Sequence, residues 1–151
     1  MPHERRGSAS FMRCIIDTVQ ATMRPGGTLR PFRRQRGCTW GGEIRREFEP
    51  QPGDIVALEH WCSSGFANTD LDLQLKKHGI HKLIVIGLIA HTCVEATVRF
   101  AAELGYEVTM AKDATADYSP EEMHAALDVN IPSYANAIVA TKEIVESISS
   151  L

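Results

Sequence analysis

A cysteine at the junction of an apolar strand and a helix is the residue in this chain best placed to do chemistry. The stretch runs Lys82-Leu83-Ile84-Val85-Ile86-Gly87-Leu88-Ile89-Ala90-His91-Thr92-Cys93-Val94-Glu95-Ala96-Thr97. The run ahead of Gly87 reads as a strand buried on both faces, as in a parallel sheet. Val94, Val98, Ala101 and Leu104 then recur at helical spacing, and Gly105 is a helix stop. Cys93 thereby falls in the first helical turn at the carboxyl end of a strand, where the ligand crevices of open α/β sheets lie. The positive end of a helix stabilises a thiolate. A nucleophile also needs a base, oxyanion donors and a pocket. The Cys93 amide and one from the Leu88-Ile89-Ala90 turn are candidate donors. A structural thiol is the competing reading, because free cysteines are among the most buried residues.

Other side chains offer different chemistry. His60-x-Cys62 and His91-x-Cys93 are two His-x-Cys pairs, so zinc is the rival reading. Against it, zinc would make Cys93 a ligand instead of a nucleophile, and His91 at a helix start is expected to face the crevice or solvent. Asp113, at the carboxyl end of a strand, suits either substrate contact or a loop cap. Arg99 is expected to pair with a surface carboxylate. The chain has no Gly-x-Gly-x-x-Gly, Walker-type loop or Gly-x-Ser-x-Gly elbow, which argues against nucleotide binding and serine-hydrolase chemistry.

The elements that must position Cys93 follow from punctuation and period. Pro50-Gln51-Pro52-Gly53-Asp54 is a turn and Ile55–Glu59 a short strand, with a loop from His60 to Asn68. Thr69 with Asp72 resembles a capping box ahead of a short helix that ends in Lys76-Lys77-His78-Gly79. After the Cys93 helix come a strand over 107–111, a loop over 113–117, and a helix opened by Ser119-Pro120-Glu121-Glu122. Pro132 opens another short helical segment, 137–140 is a last strand, and Thr141 caps a terminal helix. Strands alternating with helices mean βαβ units and a parallel sheet.

The 151 residues, 44% hydrophobic, suit one globular domain. No apolar stretch approaches the ~20 residues of a membrane span, and the Arg-bearing start lacks the apolar centre of a signal peptide. A cytoplasmic location with no membrane partner is expected. Cys14, Cys38, Cys62 and Cys93 are too few and too irregularly spaced for a disulfide scaffold. The net charge of −3 argues against nucleic-acid binding. That average hides a discontinuity. Residues 1–38 hold eight Arg, no Lys, Glu4 and Asp17, whereas 39–151 carry eight basic and seventeen acidic residues. The first part shows no sustained period and the second is periodic almost throughout. The chain divides into a poorly specified Arg-rich segment, 1–38, and a folded domain, 39–151; a basic surface arm is the plainer reading of the first.

Gly-Leu-Ile-Ala-His-Thr-Cys-Val-Glu-Ala-Thr, followed by Arg99, Leu104-Gly105-Tyr106 and Asp113-Ala114, resembles the isochorismatase-like cysteine hydrolases. The upstream Ser63-Ser64-Gly65-Phe66-Ala67-Asn68-Thr69-Asp70 falls in the same register, and the likeness covers roughly residues 40–148. The resemblance implies a Rossmann-like, three-layer α/β/α fold with a mostly parallel sheet and no cofactor. It implies cleavage of a C–N bond of a small-molecule substrate through a Cys93 thioester. It further implies a cis peptide at Leu88–Ile89, oxyanion donation by the Ile89 and Cys93 amides, and His60, Trp61 and Phe66 beside the substrate. The resemblance also implies a homo-oligomer. No metal is implied at this site.

Two positions depart from the family pattern. Glu59 stands where the family carries a lysine, so it is assigned as an acid/base or substrate-orienting group. The catalytic Asp normally ends a first strand in an apolar-apolar-Asp-x-Gln pattern, and that strand is missing here. Ile15-Ile16-Asp17-Thr18-Val19-Gln20 imitates it with Gln one residue late, and only 42 residues separate Asp17 from Glu59. A truncated gene or shifted reading frame that rejoins near Thr39 fits the composition of 1–38. The rival functional reading is an inactive family member that serves as a binding or assembly subunit.

Overall fold

Parallel pairing organises every strand described in the computed structural model, which covers residues 14–15, 46, 49–52, 54–58 and 63–150. Glu59, His60, Trp61, Cys62 and Asp17 lie outside the described residues. The first strand, expected to be missing, is present: β1 (Cys14–Ile15) pairs in parallel with β2 (Ile55–Val56), because parallel pairing needs only two short apolar runs in register and not the full apolar-apolar-Asp-x-Gln pattern. A second, all-parallel sheet has the order β3-β4-β5, from β3 (Lys82–Leu88), β4 (Glu107–Ala116) and β5 (Ala137–Val139). Helices α1 (Leu71–Lys77), α2 (Glu95–Glu103), α3 (Pro120–His124) and α4 (Thr141–Ser149) alternate with these strands. The fold is α/β with a parallel sheet. None of the described helices is long and apolar enough to cross a membrane.

Local signals act as the sequence implies at several junctions. The stripe Val94, Val98 and Ala101 is buried against the sheet. Gly105 takes φ +89°, a conformation that favours glycine, and Tyr106 N–H closes the helix end on the Ala101 carbonyl at 3.0 Å. Ser119 caps α3, its hydroxyl accepting Glu122 N–H at 3.2 Å, with Pro120 in the first turn. The core gathers Leu71, Leu75, Val98, Val108, Met110 and Ile131, all nearly inaccessible to water. Each such side chain contributes about 1.5–3 kcal/mol on burial.

Four further expectations are corrected. Thr69 and Asp72 do not form the expected capping box. The Thr69 hydroxyl accepts Leu71 N–H at 3.2 Å, while Asp72 turns to Lys76 at 2.9 Å and to the Tyr106 hydroxyl at 2.8 Å. A buried phenol and a cation one turn away outcompete a backbone amide for that short carboxylate. The loop expected over 113–117 is instead strand as far as Ala116. Val85 pairs with Met110 and Gly87 with Thr115, so Ile86 faces the four residues 111–114 of a bulged β4.

Helix α4 is capped from outside. Asp113 accepts both Thr141 N–H and the Thr141 hydroxyl at 2.7 Å, which makes Asp113 a structural cap and holds its carboxyl below the usual range. Finally, β3 is not buried on both faces. Leu83 and Val85 pack on the core, but Ile84, Ile86 and Leu88, which alternate with them, are exposed on the opposite face of the sheet.

Candidate active site

The chain leaves β3 through Gly87, whose φ of +128° no β-branched residue tolerates, and through a cis Leu88–Ile89 peptide. It then enters a wide π-helical turn, Ala90–Val94, that leads directly into α2. Val94 N–H reaches back five residues to the Ile89 carbonyl at 3.1 Å. Cys93 thus sits in a π turn, one residue wider than the α-helical start that the periodicity suggests. Its thiol is free and partly exposed. Thr92 Oγ1 donates to Cys93 Sγ at 3.7 Å, the one hydrogen bond to that sulfur among the described residues. A hydroxyl beside a sulfur is a weak donor to it as a thiol and a better one as an anion.

This helical turn is capped from a distance. Ile89, at the position before the turn, has no side-chain acceptor. Asp117, just past the end of β4, supplies one. Its carboxylate accepts His91 N–H and Tyr118 N–H at 2.8 Å each, and lies 2.8 and 2.9 Å from His91 Nδ1. The Asp117 side chain is fully buried. Burial opposes its ionisation, but the two amides and the His91 ring outweigh that and hold the carboxyl below the ordinary carboxylate range. Sequence reasoning missed Asp117. It fell at the end of the loop expected over 113–117, and only the extension of β4 to Ala116 puts it directly after a strand.

His91 binds Asp117 through Nδ1, and residues two apart on a helix point different ways, which argues against a metal shared by His91 and Cys93. Among the described residues His91, Asp117 and Glu122 bring donor atoms within 4.8 Å of one another, the grouping that could hold a cation. His91 Nδ1 and both Asp117 oxygens are already engaged there, whereas Glu122 Oε2 is buried with no hydrogen-bond partner.

Arg99 also departs from expectation. Its partner is Glu95, one helical turn earlier, a side chain only 11% exposed, reached by Nε at 3.0 Å and Nη2 at 2.6 Å. Arg99 Nη1 donates to the Tyr134 hydroxyl at 2.8 Å and Asn130 Nδ2 to Glu95 Oε2 at 3.1 Å. The network clamps the Cys93 helix to the turn at 130–134.

Phe66 lies in the core at 7% exposure, its ring 5.7 Å from that of Tyr106. Its loop is pinned by Ser64, whose hydroxyl accepts Phe66 N–H at 3.1 Å, and by Thr69, whose hydroxyl donates to the Gly65 carbonyl at 2.8 Å. Glu59, His60 and Trp61 cannot be placed against Cys93, being outside the described residues.

With this geometry, a sequence model of the isochorismatase domain matches residues 10–143, starting inside the Arg-rich segment. The ureidoacrylate amidohydrolase RutB of Caulobacter segnis is 37% identical over 122 residues, covering 81% of this chain and 50% of the relative. RutB of Pantoea ananatis is 40% identical over 95 residues, covering 63% of this chain and 38% of the relative. The chain spans about half the length of the curated relatives it matches.

Among solved structures, an isochorismatase-like hydrolase from Alkaliphilus metalliredigens superposes with TM-score 0.69 at 28% identity, covering 80% of this chain and 65% of that one. The N-carbamoylsarcosine amidase of Thermoplasma acidophilum does so with TM-score 0.55 at 33% identity, covering 66% and 55%. The domain match spans most of the chain and the fold agrees with these structures, and the chain belongs to the isochorismatase family.

Proposed function

We propose that this chain is a hydrolase that cleaves a C–N bond of a small amide through a covalent Cys93 thioester. The observation that carries the reading is a free, partly exposed thiol at the carboxyl end of a parallel strand, with the Thr92 hydroxyl on its sulfur. The Cys93 sulfur attacks the substrate carbonyl, and the Ile89 and Cys93 amides receive the oxyanion. The C–N bond breaks, the amine leaves with a proton, and water then hydrolyses the thioester to the acid. Glu59 serves as acid/base or orients the substrate, with His60, Trp61 and Phe66 forming the wall. The named relatives act on a ureidoacrylate and an N-carbamoyl amino acid, so the substrate class is a ureido or carbamoyl compound.

The second reading, an inactive binding or assembly subunit, is favoured by one observation: Glu59 stands where the family carries its lysine. Ammonia release from ureidoacrylate, N-carbamoylsarcosine and nicotinamide, compared between the chain and Cys93→Ala, separates the two. Turnover by the chain and none by the variant is expected. Activity surviving in Cys93→Ala rejects the nucleophile. Iodoacetamide should also label Cys93 far faster than Cys62 at neutral pH, and equal, slow labelling supports the inactive subunit.

A further inference from the structure

One side chain joins the Phe66 loop to the Cys93 turn. Thr97 Oγ1 accepts Gly65 N–H at 2.9 Å and donates to the Cys93 carbonyl oxygen at 2.7 Å. A hydroxyl can do both because one oxygen carries a donor and acceptor lone pairs. The bond to Cys93 alone is the ordinary back-bonding of a helical threonine to the carbonyl four residues earlier. The bond to Gly65 is different, since it crosses 32 residues and leaves the helix. Ser64 and Thr69 hold the internal shape of the loop. Thr97 ties that shaped loop to the residue that bears the thiol.

We propose that Thr97 is a positioning residue, whose hydroxyl sets the Cys93 turn against the 63–69 loop and so places the sulfur for attack. The inference rests on the proposed role of Cys93 as nucleophile and adds a residue to it. Geometry makes such a tether matter, because a displacement of an ångström in a reacting group costs about a hundredfold in rate.

Thr97→Ser keeps the hydroxyl and Thr97→Val removes it at nearly constant shape. Four quantities are read on the full folded chain: the rate of iodoacetamide alkylation at Cys93 by peptide mass spectrometry, kcat and KM on ureidoacrylate, and Tm. Thr97→Val should slow Cys93 alkylation and lower kcat by roughly tenfold, with Thr97→Ser within about twofold of the parent chain. A merely structural role would lower Tm in Thr97→Val and leave the alkylation rate per folded molecule unchanged, and that result overturns the proposal. Hydrogen exchange at the Gly65 amide needs no variant to fold. Slow exchange is expected, and exchange at the open-chain rate overturns the tether. Activity retained in Cys93→Ala would instead defeat the nucleophile reading, which neither the exchange nor the alkylation result can mimic.

Discussion

Asp117 offers the sharpest test of how the Cys93 turn is held. The carboxylate is fully buried and accepts two backbone amides at 2.8 Å, one of them in the Cys93 turn, and contacts the His91 ring. Asp117→Ala strips the acceptor from both amides. The half-buried His91 N–H costs about 1–3 kcal/mol when left unpaired, whereas the exposed Tyr118 N–H returns to water. The expected loss is about 2–4 kcal/mol, the unpaired amide and the lost contact with the His91 ring together. Asp117→Asn keeps one oxygen and should lose about 1–2 kcal/mol.

Urea denaturation at pH 7 measures both, and for a chain of this length Asp117→Ala should lower Tm by roughly 10 °C. The pH dependence has a definite sign. The folded carboxyl is held below its unfolded value, so its stabilisation is complete above the unfolded pKa of about 4 and fades as pH falls through the lowered folded value. The gap between the parent chain and Asp117→Asn should therefore be flat from neutral pH to about 5 and close in acid. A loss under about 0.5 kcal/mol in Asp117→Ala, or a gap that widens in acid, would refute the capping argument.

Two further predictions concern the polar groups around the site. Arg99→Lys replaces a two-pronged contact with Glu95 and loses the Tyr134 bond; because Arg99 is 39% exposed, the expected cost is about 1 kcal/mol by thermal unfolding. A neutral result would mean that the clamp between α2 and the 130–134 turn is carried by Asn130 and apolar contacts. Glu122→Gln removes a negative charge beside buried Asp117 at an oxygen with no partner, so it should be neutral or stabilise by up to about 1 kcal/mol. A clear loss of stability would show that the Glu122 carboxylate is held by a cation.

Local physics made much of this molecule legible. The Gly105 stop needs only a backbone conformation that side chains resist, and the Ser119 cap needs only a hydroxyl three residues from an amide. Period misled where burial depends on neighbours. The run at 82–88 is as apolar as a central strand, yet β3 exposes Ile84, Ile86 and Leu88, because exposure is decided by what lies on each face. Thr69 and Asp72 matched a capping pattern, but Tyr106, 34 residues away from Asp72, captured the carboxylate.

Composition and period by themselves determined the α/β alternation and put Cys93 where a strand hands over to a helix, since both follow from residues adjacent in the chain. Only the tertiary structure decided what surrounds that sulfur. The Asp117 cap, the Asp113 cap on α4 and the Thr97 tether join residues 26 to 32 apart. A hydrogen bond forms within about 3 Å, and spacing along a sequence carries no measure of that distance once the chain has turned back on itself.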